Sequence, residues 1–268
     1  MSSSKDYLDV AVKAARAAGR VLMASYGKLS DSQISVKSKN DFVTVVDKRS
    51  EEKIISMIKN RFPHHSIQAE ESGMAADGDT LWIIDPLDGT ANYIHQFPLF
   101  CISIGVLEKN EFSAAVIYDP LHKELFTARR GQGAFLNGRR LKVSKTAHLA
   151  DAMMATGIPF RARGRFDEYI DSLKKISLES AGMRRGGSAA IDLAYVACGR
   201  LDGFWEINLS PWDIAAGALL IEEAGGKVTD LWGKQAYLKS GDILASNTKI
   251  HSELLTITSG CLNEVKKT

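Results

Sequence analysis

Apolar residues recur along this chain with two different periods. Between residues 5 and 26, Leu8, Val12, Ala15, Gly19 and Leu22 fall on one stripe, with Ser3 or Ser4 available as a cap and Gly27 just past the end. That spacing predicts an amphipathic helix. Ile54, Ile55, Ile58 and Phe62 predict a second helix that Pro63 closes, and Thr44-Val45-Val46-Asp47 precedes it with the spacing of a capping box. Between the two, residues 28–41 are polar, with Lys37, Lys39, Asn40 and Asp41 close together. They read either as a plain surface loop or as a lid over a site.

Beyond Pro63 the period shortens. Ser66–Glu70 alternates like a strand, and Leu81–Ile84 is the apolar run of a buried strand. Strands are expected at Phe100–Leu107, Phe112–Tyr118, Glu124–Arg129 and Gly133–Leu136, with turns at 108–111, Asp119-Pro120 and Asn137-Gly138. This antiparallel meander makes the first half α+β.

From about residue 145 strands and helices alternate. Strands are expected at Met153–Thr156, Met183–Arg185, Leu201–Ile207, Gly226–Thr229 and Asp242–Ser246. Helices are expected at 165–180, from Gly186-Gly187-Ser188 through Cys198, at Pro211–Ala224 and at 251–266. Ser210 caps the Pro211 helix, proline sits at its first position, and Gly225-Gly226 follow its end. The expected organisation is an α+β half over residues 1–144 and an α/β half over residues 145–268, packed as one compact unit.

Composition narrows the classes. A chain of 268 residues with 45% apolar and 25% charged side chains has the make-up of a soluble globular protein with a substantial core. A net charge of +2 gives no overall field that calls for nucleic acid or membrane. Cys101, Cys198 and Cys261 are odd in number, far apart and without metal-ligand spacing, which suits reduced thiols in a reducing compartment. The N-terminal stretch has no basic region followed by an apolar one, and no segment approaches about 18 unbroken apolar residues. A cytoplasmic protein without membrane contact is expected.

The candidate chemistry is concentrated in Trp82-Ile83-Ile84-Asp85-Pro86-Leu87-Asp88-Gly89-Thr90-Ala91-Asn92. Asp85 precedes a proline and is biased toward extended geometry, so the strand reaches its end there, and Pro86 and Gly89 then make a turn. Thr90-Ala91-Asn92 can start a helical turn whose N–H groups attract an anion. Two carboxylates three residues apart beside such donors suit divalent metals and a phosphate. The same residues also make ordinary turns. Glu70 closes the preceding strand and would sit beside Asp85 if the two strands pair. Asp213, in the first turn of the Pro211 helix, fits a dipole-stabilising cap as well as a rigid metal ligand beside Trp212. Asp47 likewise reads as a capping carboxylate or as a catalytic one. Glu70, Asp85, Asp88 and Asp213 together would give Mg²⁺ the oxygen ligands it requires. There is no G-x-x-x-x-G-K-[ST] loop, no Asp-x-Asp spacing of phosphatases that form an aspartyl-phosphate, and no zinc pattern.

W-I-I-D-P-L-D-G-T-A-N at 82–92, E-E-S-G at 70–73 and P-W-D-I-A-A-G at 211–217 resemble the signatures of the inositol monophosphatase family, in matching order and spacing along nearly the whole chain. The resemblance implies a layered αβαβα sandwich of the inositol monophosphatase and sugar phosphatase type, usually a homodimer. It implies Mg²⁺, two or three ions per subunit: one held by Glu70, Asp85 and the Leu87 carbonyl, one between Asp85, Asp88 and Asp213, and a weaker third near Glu70. Gly89 and Thr90 would hold phosphate oxygens through their N–H groups. Asp47 and Thr90, with Glu70, would serve the attacking water in a direct in-line hydrolysis without a covalent intermediate, inhibited by lithium. Glu206, Ala189, Gly187, Asp88 and Asp213 would bind the substrate's polyol side, although Glu206 also reads as a solvated strand-end acid.

The activity so implied is hydrolysis of myo-inositol monophosphate to inositol and phosphate. Alternatives are fructose 1,6-bisphosphate, NADP or a 3′-phosphonucleotide. Arg184-Arg185-x-Gly-Ser-Ala-Ala and the stretch from Tyr118 to Ala134 are similar to bacterial members, some of which act in transcription antitermination. Arg129, Arg130, Arg139, Arg140, Lys142 and Lys145 lie in an acid-free segment, followed by Arg161, Arg163 and Arg165. A transcription-factor or RNA partner is therefore a further expectation.

Overall fold

The computed structural model describes residues 4–38, 41–75, 78–159 and 163–263. Helix α1 (Ser4–Ser25) leads into an antiparallel hairpin of β1 (Ile34–Ser38) and β2 (Asp41–Thr44), followed by α2 (Val45–Arg61). The hairpin occupies a stretch expected to be loop or lid. Ile34-Ser35-Val36-Lys37-Ser38 alternates apolar and polar residues only over a single short strand, and a two-stranded ribbon buries little on either face, so Val36 is 65% exposed. Lys39 and Asn40 lie outside the described residues.

A sheet of eight strands follows: β3 (Ser66–Ala69), β4 (Gly73–Ala75), β5 (Thr80–Asp88), β6 (Cys101–Glu108), β7 (Glu111–Asp119), β8 (Glu124–Arg129), β9 (Gly133–Leu136) and β10 (Arg139–Arg140). The short α3 (Thr90–Ile94) interrupts it after β5. The spatial order is β10-β9-β8-β7-β6-β5-β3-β4, antiparallel throughout except for β3 beside β5. β4 is only three residues long and went unpredicted.

The second half contributes β11 (Met153–Thr156), α4 (Phe166–Glu179), β12 (Gly182–Arg184), α5 (Ala189–Ala197), β13 (Gly203–Glu206), α6 (Pro211–Glu223), β14 (Lys227–Thr229), α7 (Tyr237–Ser240), β15 (Ile243–Ser246) and α8 (His251–Cys261). Their strands form a mixed sheet in the order β12-β11-β13-β15-β14. The unpredicted α7 is a single turn. The last helix ends at Cys261 instead of running on toward 266, and residues 264–268 lie outside the described residues.

Strand alternation sorts the side chains into layers. On β5, Trp82 and Ile84 face α1 and α2 while Ile83 faces the opposite side; on β7, Ala114 and Val116 oppose Ala115 and Ile117 in the same way. α5 and α6 pack together on that second face, against β5 to β8, and also against the smaller sheet. The far face of the smaller sheet points Met154, Trp205 and Leu244 at Tyr169 and Ile176 of α4 and Leu254 of α8. The sequence of layers is therefore α1/α2, large sheet, α5/α6, small sheet, α4/α8: the αβαβα sandwich expected above. α5 and α6 are apolar almost all round, as helices covered on both faces must be.

Candidate active site

The site begins with a defect in β5. Asp85 pairs with Ser103 of β6 and Asp88 pairs with Cys101, so three steps along β5 answer two along β6. In a regular strand residues 85 and 88 would point to opposite faces. The extra residue reverses that parity and aims both carboxylates into one cleft, as bulges do where a side chain must be redirected. Pro86, which has no N–H to offer the ladder, sits within the bulge. The strand thus continues to Asp88, where the sequence suggested a turn. Gly89 then caps α3 with φ of 91°, and a Cβ there would lie 2.9 Å from the Leu99 carbonyl oxygen, so only glycine fits.

Carboxylate oxygens of Asp85, Asp88 and Asp213 all lie within 4.8 Å of one another, and all three residues are buried. Each is anchored through one oxygen. Leu87 N–H donates to Asp85 Oδ1 at 2.9 Å, and Ser210 N–H donates to Asp213 Oδ2 at 2.8 Å. Asp88 Oδ2 accepts from Ser188 Oγ at 2.6 Å and from Ala190 N–H at 2.8 Å, both at the N-terminus of α5. Burial, then the neighbouring Glu70, Asp88 and Asp213, push the Asp85 carboxyl well above the usual carboxylate range. Glu70 follows β3, which runs parallel to β5, and its N–H reaches the Ile84 carbonyl at 3.2 Å, so the pairing that brings it beside Asp85 is present. Converging, mutually repelling oxygen donors without nitrogen or sulfur ligands fit a hard divalent cation.

Asp47 caps α2 and also reaches Thr90. Its Oδ2 accepts from Thr44 N–H at 2.8 Å, closing the capping box of α2, while Oδ1 accepts from Thr90 Oγ1 at 2.9 Å. Burial raises its pKa, and the hydrogen bonds from Thr44 and Thr90 oppose that rise. It does not line the cleft; it reaches the site through Thr90, whose hydroxyl also lies 3.0 Å from the Leu87 carbonyl.

Glu70, Asp85, Leu87, Asp88, Gly89, Thr90, Gly187, Ala189, Glu206 and Asp213 all line this one cleft. Glu206 ends β13, and its carboxylate lies against Gly157 where any Cβ would collide with it. Several contributors were not anticipated. Asn92 Nδ2 bridges the Leu99 carbonyl at 2.7 Å and the Gly186 carbonyl at 2.9 Å, tying α3 to the loop before α5. Ser188, Asp192, Arg185 and Phe42 also belong to the cleft wall. Ser188 left a sequence signal as a helix N-cap residue after two glycines, and Asn92 and Arg185 stand inside motifs that the sequence singled out without giving these two residues a role.

A family model described as the inositol monophosphatase family matches residues 4–262. The chain is 49% identical over 250 residues to the Nus factor SuhB of Escherichia coli K12, covering 92% of this chain and 94% of that protein. It is 46% identical over 255 residues to the Nus factor SuhB of Pseudomonas aeruginosa, covering 93% and 94%. Among solved structures, it is similar to the extragenic suppressor protein suhB of Bartonella henselae, with a TM-score of 0.91, 41% identity and coverage of 94% and 98%. It is also similar to the inositol monophosphatase of Anabaena, with a TM-score of 0.85, 43% identity and coverage of 96% of each chain.

Proposed function

The chain belongs to the inositol monophosphatase family, and from that premise we propose that it is a Mg²⁺-dependent phosphatase that hydrolyses myo-inositol monophosphate to inositol and phosphate. The observation that carries this reading is the meeting of Asp85, Asp88 and Asp213 within 4.8 Å, in a cleft that Glu206 and Gly187 also line. Glu70, Asp85, the Leu87 carbonyl, Asp88 and Asp213 would hold Mg²⁺, which would supply charge neutralisation and a water acidic enough to attack phosphorus near neutral pH.

The protein's own groups do the rest. Gly89 and Thr90, at the start of α3, offer backbone N–H groups to the phosphate oxygens. Thr90 Oγ1, donating toward Asp47 Oδ1 and the Leu87 carbonyl, turns its lone pairs to the attacking water and orients it. Glu206 accepts a hydroxyl of the leaving polyol, with Ala189 and Gly187 shaping the space beside it, and the bare Cα of Gly157 lets the Glu206 carboxylate lie close to the cleft wall. Phosphate release would be measured from inositol 1-phosphate, fructose 1,6-bisphosphate, NADP and adenosine 3′,5′-bisphosphate, with Mg²⁺, with EDTA and with Li⁺. Turnover led by inositol 1-phosphate, abolished by EDTA and reduced by Li⁺ is expected. Preference for another substrate would keep the chemistry and change the substrate, and no turnover on any of them would refute the reading.

A partner role in transcription is supported by the Nus factor names of relatives 49% and 46% identical to this chain. Arg130, Arg139, Arg140, Lys142 and Lys145 are exposed on the meander's edge and the segment after it. Retention of a ribosomal leader RNA or Nus-type complex at low salt, falling steeply as salt rises, is the expected result. No retention at low salt would refute it. The Asp88→Asn variant should bind as the unsubstituted protein does.

A further inference from the structure

One buried face of α2 touches three separate parts of the site. Asp47, Ser50 and Glu51 lie on it at helical spacing and are all buried. Asp47 holds Thr90 as described. Ser50 Oγ donates at 2.8 Å to the Pro86 carbonyl inside the β5 bulge. Glu51 Oε2 accepts at 2.8 Å from the Glu71 N–H, one residue beyond Glu70. Glu51 is 3% exposed, and burying a carboxylate is unfavourable unless it is well partnered. A glutamate kept there, with its reach ending on the turn that carries a site acid, is placed for that turn.

We propose that Glu51 is a positioning residue for the cation site. By holding the Glu71 N–H it fixes the turn after β3, sets where the Glu70 carboxylate stands relative to Asp85, and so sets the affinity of that side of the site for Mg²⁺. Ser50 braces the bulge from the same helix face. This inference rests on the phosphatase reading and deepens it.

The test is Mg²⁺ binding by calorimetry beside the Mg²⁺ dependence of phosphate release, for Glu51→Ala, Glu51→Asp and Glu51→Gln. Glutamine keeps an acceptor oxygen at the right reach and loses the charge; aspartate keeps the charge and loses the reach. Alanine and aspartate should weaken Mg²⁺ binding about 10-fold or more, the range seen when groups that orient metal ligands are removed, with turnover recovered by excess Mg²⁺. Glutamine should bind close to the unsubstituted protein. A purely structural role would lower the melting temperature of the metal-free variants and leave the Mg²⁺ affinity of the folded protein unchanged. Unaltered affinity in Glu51→Asp, or equal weakening by glutamine and alanine, would overturn the proposal, and the aspartate–glutamine comparison decides even if the alanine variant does not fold. Absence of Mg²⁺ binding by the unsubstituted protein would instead bring down the phosphatase reading itself.

Discussion

Asp88 is held from behind by groups a hundred residues away: Ser188 Oγ and Ala190 N–H both donate to its Oδ2. An asparagine can keep its carbonyl oxygen on those donors, which leaves an NH₂ group in place of the other carboxylate oxygen. Asp88→Asn should therefore fold normally and lose at least about 100-fold in turnover, since a misplaced or lost group at a metal-assisted centre is felt at that scale. Circular dichroism and phosphate release check the two halves of that expectation. Asp85 supports a pH prediction. Its carboxyl titrates well above the ordinary range in the folded, metal-free protein because of burial and the acids around it. The folded state then binds a proton more tightly than the unfolded one. The associated stability is fully present below about pH 4 and is lost as pH rises through the folded value. In EDTA, Asp85→Asn should be more stable than the unsubstituted protein, by a margin that grows in urea titrations as pH rises above the ordinary carboxylate range. Such acids are legible in sequence because they stand in compact motifs. Ser188 and Asn92 are harder to find, since their meaning lies in contacts that cross the chain.

Elements differ in how plainly they announce themselves. The Thr44–Asp47 capping box and the Pro211 start of α6 are local devices, and the structure reproduces them. The β1/β2 hairpin, β4 and α7 are short and rely on neighbours for their order, so propensity alone does not reveal them. The bulge in β5 is the clearest case of a feature hidden in plain view. Asp-Pro-Leu-Asp reads as a turn, yet it is a strand with one residue too many. α8 offers a test of element stability. His251, its first residue, lies between Thr229 Oγ1 at 3.0 Å and Ser246 Oγ at 2.8 Å, and burial lowers its pKa to about 4. The unfolded chain then takes up the proton first, so stability falls as pH drops from about 6.5 through 4, by at most about 3 kcal/mol. His251→Gln should flatten that slope in urea titrations between pH 7 and pH 4.5.

At the scale of the whole molecule the site lies on a seam. The large sheet supplies Asp85 and Asp88, the turn after β3 supplies Glu70, α6 supplies Asp213, α5 braces Asp88, and the small sheet brings Glu206 to the far wall. The alternation of strands and helices made the layers readable from sequence, whereas the order of strands within each sheet depends on long-range pairing that no local pattern states. Because a cation would relieve repulsion among acids from different layers, chelation should loosen the assembly as a unit. At a Mg²⁺ concentration of about 100 times its dissociation constant, removal would cost about 2.7 kcal/mol, seen as a single lowered melting transition in EDTA.

The bracing of Asp88 by α5 also bears on how the protein is made. A ribosome releases every strand of the large sheet, ending at Arg140, before it releases Ser188, Ala190 or Asp213. Until then the β5 acids lack the donors and the third carboxylate that complete their geometry, and the sheet face destined for α5 and α6 has no cover. The first half on its own therefore leaves an apolar sheet face bare and lacks one of the three converging carboxylates, and both are completed together when α5 and α6 arrive.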